Sequence, residues 1–138
     1  MRNGILIVED DFLESYELET RAAQLGYRPA LTGTRQGAVA LFEQLNGTLA
    51  GVVCDNRLIA GEPAAAWLYA YVRARDRAMP FAIYSGFPPV DLSREDTFLK
   101  IVAKPFSEDV FRFLRESALL RETATGRPTL LSQPHPAK

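Results

Sequence analysis

Three carboxylates in succession, Glu9, Asp10 and Asp11, follow the apolar run Ile5 to Val8 near the start of the chain. Hard oxygen donors gathered at the end of a buried strand suit a divalent cation. The plainer reading is a strand followed by a helix cap, because helix N-termini favour acidic residues. Asp11 fits that plainer role. The choice for Glu9 and Asp10 turns on what else reaches the same place. Asp55 follows the apolar run Gly51 to Cys54, Ser85 follows Phe81 to Tyr84, and Lys104 with Pro105 follows Lys100 to Ala103. In an open parallel sheet the carboxyl ends of the strands border one crevice. There these residues make an acidic pocket facing a hydroxyl and an ammonium.

Other chemistries lack their parts. A serine hydrolase needs a base, and the single histidine is His135, far along a polar terminal stretch. Ser85 also has Ile83, not glycine, two positions before it, where a nucleophile elbow requires Gly. Phosphatases with an Asp nucleophile carry a second Asp two residues on, where this chain has Arg57. Cys54 has Ala60, not a phosphate-binding Arg, six positions later. It ends a buried run and reads as a small packed hydrophobe. No Gly-rich loop follows the first apolar run, so neither a dinucleotide site nor a P-loop is supported.

Positioning the polar residues takes short apolar runs alternating with helix-patterned stretches, the signature of a parallel sheet with helices on both faces. Strands are expected at Ile5 to Val8, Tyr27 to Leu31, Gly51 to Cys54, Phe81 to Tyr84 and Lys100 to Ala103. Ser15, Leu18, Ala22 and Leu25 repeat at helical steps and Gly26 ends that helix. Thr34 caps the next, through Ala38, Leu41, Phe42 and Leu45. Gly61, Glu62 and Pro63 open a third through Ala66, Leu68 and Val72, and Ser107, Glu108 and Asp109 open the last, through Val110, Phe113 and Leu114. Between Tyr84 and Lys100 the alternation breaks, because "SGFPPVDLSREDTFL" leaves room for at most a short helical piece near Ser93 to Thr97. The expected fold is α/β, a doubly wound five-stranded parallel sheet in the order 2-1-3-4-5 with a shortened or irregular fourth helix.

At 138 residues, 47% hydrophobic and 24% charged, the chain suits one domain with a proper core. The folded domain is expected at 1–122. From Thr123 onward the polar stretch with Pro128, Pro134 and Pro136 reads as a disordered tail, 123–138. A formal net charge of -1 with scattered Lys and Arg gives no basic stripe, so no nucleic acid and no membrane are expected as partners. The apolar run at 5–8 is too short for a signal peptide or a membrane span, which makes a cytoplasmic location the expectation.

Taken together, and over Asn3 to Arg121, these residues resemble the receiver domain of two-component response regulators. In that family an acidic pair follows the first strand, a phosphoacceptor Asp ends the third, Ser or Thr ends the fourth, and Lys-Pro follows the fifth. Here those positions hold Glu9 with Asp10, Asp55, Ser85, and Lys104 with Pro105, and "AKPF" is the most distinctive piece. The resemblance implies a flavodoxin-like fold and a single-domain response regulator. It implies phosphoryl transfer to Asp55 from the phosphohistidine of a sensor histidine kinase or a histidine phosphotransfer domain. Carboxylate and phosphoryl group are both anionic, so a cation must intervene. By the same resemblance that cation is Mg2+, held by Asp10, Asp55 and the main-chain carbonyl of Arg57, with Glu9 acting mainly through bound water. Lys104 would neutralise a phosphoryl oxygen and Ser85 would donate a hydrogen bond.

Such a protein is not an enzyme toward outside substrates; it catalyses only its own phosphorylation and dephosphorylation, and it switches binding to a downstream protein target or relays phosphate. The alternative is a pseudo-receiver that binds partners without phosphorylation. Degenerate receivers of that kind lose the metal carboxylates or the lysine, and neither is lost here. Two departures from the family pattern stand out. Its Tyr or Phe three residues before the lysine is Ile101, β-branched and stiff at its first torsion. Pro88 and Pro89, which lack backbone donors, leave too little chain for a long helix after the fourth strand.

Overall fold

The computed structural model describes residues 2–58, 64–87 and 95–125. In chain order they form β1 (Gly4–Val8), α1 (Phe12–Gln24), β2 (Arg28–Thr32), α2 (Arg35–Leu45), β3 (Leu49–Cys54), α3 (Ala65–Arg75), β4 (Phe81–Ser85), β5 (Leu99–Ala103) and α4 (Ser107–Thr125). All strands pair in parallel, in the order β2-β1-β3-β4-β5. The expected sheet and its order are those observed, with strand ends moved by one or two residues.

Helix ends follow the local chemistry. Asp11 accepts the Glu14 N–H at 3.0 Å and Thr34 accepts the Gly37 N–H at 3.0 Å, each capping its helix. Gly26, with φ at 92°, takes the left-handed position just past α1 that favours glycine. Pro29 lies in β2, an edge strand of the sheet, where a missing N–H costs least.

Alternation along the strands divides the core between two faces. Ile5, Ile7, Val53, Ala82 and Val102 pack with Leu18 and Ala22 of α1 and Val110 and Leu114 of α4. Leu6, Val8, Val52, Cys54 and Ile83 pack with Ala38 and Phe42 of α2 and Leu68 and Val72 of α3. β1 and β3 are buried on both sides, as a doubly covered parallel sheet requires. Gly51 lets α4 approach closely: a Cβ there would lie 2.5 Å from Leu114 Cδ2 and 3.3 Å from the Pro80 carbonyl oxygen.

The amino end of the sheet is fastened by Arg73 of α3. Its Nε lies 2.6 Å from Asp96 Oδ2, and its other nitrogens donate to the carbonyls of Asp76, Met79 and Phe98 at 3.1, 2.8 and 2.9 Å. Tyr69 donates to the same Asp96 oxygen at 2.5 Å, and Asp96 Oδ1 accepts the Phe98 N–H at 2.8 Å. This clamp sets where the chain enters β5, and so where Lys104 emerges.

Some expectations meet the limits of the described residues. The helix opening at Gly61, Glu62 and Pro63 lies outside them, as do Ser93 and Arg94 of the short piece near Ser93 to Thr97; its described residues, Glu95 to Thr97, are not helical. Among the described residues no helix separates β4 from β5. At the other end, α4 continues to Thr125, past the expected domain boundary at 122. Ser117, Ala118 and Arg121 on its distal half are still buried, so the helix retains packing partners there. Ile101 is partly buried and packs against the core cluster on the face that α2 and α3 cover.

Candidate functional site

Register brings the candidate residues to one edge. Val8 pairs with both Thr32 and Cys54, and Ser85 pairs with Ala103. The ladder continues one residue beyond each strand: the Glu9 N–H donates to Thr32 O at 2.9 Å, the Asp55 N–H to Val8 O at 3.0 Å, and the Lys104 N–H to Ser85 O at 3.0 Å. The main chain therefore fixes Glu9, Asp55 and Lys104 before any side chain is considered.

Their side chains converge. Lys104 Nζ lies 2.8 Å from Glu9 Oε1, 2.5 Å from Glu14 Oε2 and 3.2 Å from Asp55 Oδ2. Oxygens of Glu9, Glu14 and Asp55 all lie within 4.8 Å of one another. Three carboxylates around one ammonium give a formal charge of -2 at a site whose Lys104, Glu9 and Asp55 side chains are at most 15% exposed. The donor chemistry and the charge both fit a divalent cation that prefers oxygen.

Electrostatics follow from that crowding. Burial pushes the Glu9 carboxyl up to about 7, against hydrogen bonds from Lys104 and the Asp11 N–H. Burial works to lower the Lys104 ammonium, but hydrogen bonds to Glu14 and Glu9 outweigh it and raise the group above its usual range. The Tyr84 ring centroid lies 5.9 Å from the ammonium.

The other expected residues take distinct places. Asp11 is the helix cap, as read from the sequence, and its N–H also donates to Glu9 Oε2 at 3.2 Å. Asp10 is half-buried against Gly33, and its carboxylate is not one of the three that converge. Ser85 is buried at the end of β4, and its Oγ accepts the Phe87 N–H at 3.1 Å. Asn56 donates to the Phe87 carbonyl at 2.7 Å, tying the loop after β3 to the loop after β4. Arg57 is exposed beside Asn56. Cys54 is fully buried, with its thiol pushed up by burial, which fits a packed hydrophobe.

Glu14 was not among the expected site residues. It belongs to the first turn of α1, three residues past the cap. That position points an acidic side chain back toward the strand ends, because helical side chains lean toward the N-terminus. Only the phase of α1 against the sheet turns this weak pattern into a contact with Lys104.

No protein-family model matches the chain, and no curated protein matches it. Solved structures do. A response regulator receiver protein from Sinorhizobium medicae is 20% identical with a TM-score of 0.70, over 84% of this chain and 94% of that one. A response regulator receiver domain protein from Clostridium thermocellum is 10% identical with a TM-score of 0.73, over 88% of this chain and 98% of that one. The response regulator PhyR from Brucella abortus is 24% identical with a TM-score of 0.68 over 91% of this chain, which spans only 51% of PhyR. The likeness is one of fold: this chain has the architecture of a response regulator receiver domain.

Proposed function

We propose that this chain works as a phosphorylation-controlled response regulator, with Asp55 as the phosphoacceptor and a phosphohistidine of a sensor kinase or phosphotransfer domain as the donor. The observation that carries the reading is the gathering of Glu9, Asp55 and Lys104 from three strand ends into one cluster with excess negative charge. Asp55, half-buried at the end of β3, supplies the nucleophilic oxygen. Lys104 is the group that pairs with a phosphoryl oxygen once it is released from part of its carboxylate shell. Ser85 accepts from the Phe87 N–H, so its own proton remains to donate to the same group. Glu9 and Asp55, with Asp10 and the Arg57 carbonyl close by in sequence, are the residues that would hold Mg2+. When bound, that ion supplies screening between the Asp55 carboxylate and an incoming anionic phosphoryl group.

A second reading is a binding module that keeps the fold and is not switched by phosphate. Lys104 already satisfied by three carboxylates, with Asp10 outside that group, favours it. One experiment separates the two. The chain is incubated with a small phosphoryl donor such as phosphoramidate, with Mg2+ or with EDTA, and its intact mass is measured. The switch reading expects the mass of one phosphoryl group only with Mg2+, and none in Asp55→Asn. Incorporation without divalent metal, or retained in Asp55→Asn, contradicts it, and no incorporation under any condition favours the binding module.

A further inference from the structure

Away from the carboxylate edge, α1 and α4 lie side by side on one face of the sheet and leave a cavity of about 230 Å3 between them. Phe111 forms part of its apolar floor, and Arg21, Arg112 and Arg115 line it together with Glu108 and Tyr27. Three guanidinium groups less one carboxylate leave a formal charge of +2, opposite in sign to the cluster around Lys104. Arg112 is engaged by Asp109 at 2.9 Å, whereas Arg21 and Arg115 make no ion pair with a carboxylate among the described residues. Arg21 alone would be a helix-dipole residue in the last turn of α1. Tyr27 adds an independent observation. It is only 6% exposed and lines the cavity, yet its hydroxyl makes no hydrogen bond among the described residues. Its ring is buried while the hydroxyl oxygen itself is not among the fully enclosed polar atoms, so it opens to the cavity and is available to a ligand. Burial raises the Tyr27 hydroxyl above its usual range, against the opposing effect of Arg115, so it stays a donor at neutral pH.

We propose that this cavity is a binding site for a small free polyanion, an organic phosphate or polycarboxylate, held by Arg21 and Arg115 with the Tyr27 hydroxyl as a third donor. The volume corresponds to about seven or eight waters, taking each water's share of the liquid as ~30 Å3. That suits an anion of pyrophosphate size. Guanidinium forks match phosphate and carboxylate oxygens in pairs. Glu108 at the rim offers an acceptor to a ligand hydroxyl, so hydroxyl-bearing anions fit best. The site is independent of phosphorylation at Asp55.

The test uses the full chain in EDTA, which leaves the carboxylate edge without divalent metal, titrated with sodium pyrophosphate and followed by amide NMR. Saturable binding is expected, with shifts centred on residues 21–27 and 108–115. Charged hydrogen bonds set the scale: Arg115→Gln should weaken binding about tenfold, and Tyr27→Phe, which keeps the ring, about threefold. A parallel arm sediments the chain with phosphatidylglycerol vesicles, where no binding is expected. The proposal is overturned if pyrophosphate does not saturate, if the shifts centre on Lys104, if both variants bind like wild type, or if vesicles bind while pyrophosphate does not.

Discussion

Two partly buried cations stand at opposite ends of the same sheet, and their surroundings differ in charge balance. At the amino end Arg73 meets one carboxylate, Asp96, and three main-chain carbonyls. Charge cancels there, and the fork geometry of the guanidinium is used for hydrogen bonds in several directions. At the carboxyl end Lys104 meets three carboxylates, two more than it can neutralise. The first arrangement is complete as it stands. The second carries self-repulsion, which the raised Glu9 carboxyl relieves in part near neutral pH, and such crowding makes it the candidate functional site.

The largest effect should come from breaking the balanced end. Arg73→Met leaves Asp96 and three carbonyls without their donor, and removing one partner of a buried pair costs about 3–5 kcal/mol. Urea unfolding measures it; a loss below about 1 kcal/mol would mean the clamp is dispensable. Its pH signature is specific. Burial works to raise the Asp96 carboxyl, but hydrogen bonds from Arg73, Tyr69 and the Phe98 N–H outweigh it and hold it below the usual range. A carboxyl depressed in the folded state contributes stability above its unfolded value of about 3.9, and that contribution is lost as pH falls through the folded value. The acid limb of the stability curve should therefore flatten in Arg73→Met.

At the unbalanced end the sign should reverse. Asp55→Asn removes one of three competing charges while keeping the shape, and without divalent metal it should raise unfolding stability by about 1 kcal/mol. A destabilised Asp55→Asn would show that the cluster is structural like its counterpart. The smallest effect concerns the loop after β4. Phe87 is 83% exposed and held through its main chain by Ser85 and Asn56, and under the proposed function its ring would obstruct a hydrolytic water. Phe87→Ala should shorten the lifetime of the phosphorylated chain about threefold, a shift of under ~1 kcal/mol in barrier. An unchanged decay rate removes the ring from any gating role.

Which parts were legible in the sequence follows from how local their causes are. The Asp11 and Thr34 caps and the Gly26 stop are set within one helical turn, and each is where the pattern puts it. That Glu9, Asp55, Ser85 and Lys104 share one edge was legible because a strand end is readable and parallel register carries four ends there. Glu14 was not, since its contact depends on how α1 is rotated against the sheet. Arg73 and Asp96 are 23 residues apart and belong to different elements, so no spacing announces them. Tyr27 reads as the first residue of a strand, whereas it precedes β2 and turns its hydroxyl toward the α1–α4 cavity.

The central claim is that the excess charge around Lys104 exists to receive a divalent cation. Thermal unfolding of the full chain over a Mg2+ titration, beside Asp55→Asn under the same conditions, tests it most directly. A ligand that binds only the folded state stabilises by RT ln(1 + [L]/Kd), so the wild-type Tm should climb steadily with Mg2+. Asp55→Asn should start higher in EDTA and respond little. A wild-type Tm indifferent to Mg2+, or a Mg2+ response that survives intact in Asp55→Asn, would contradict the account.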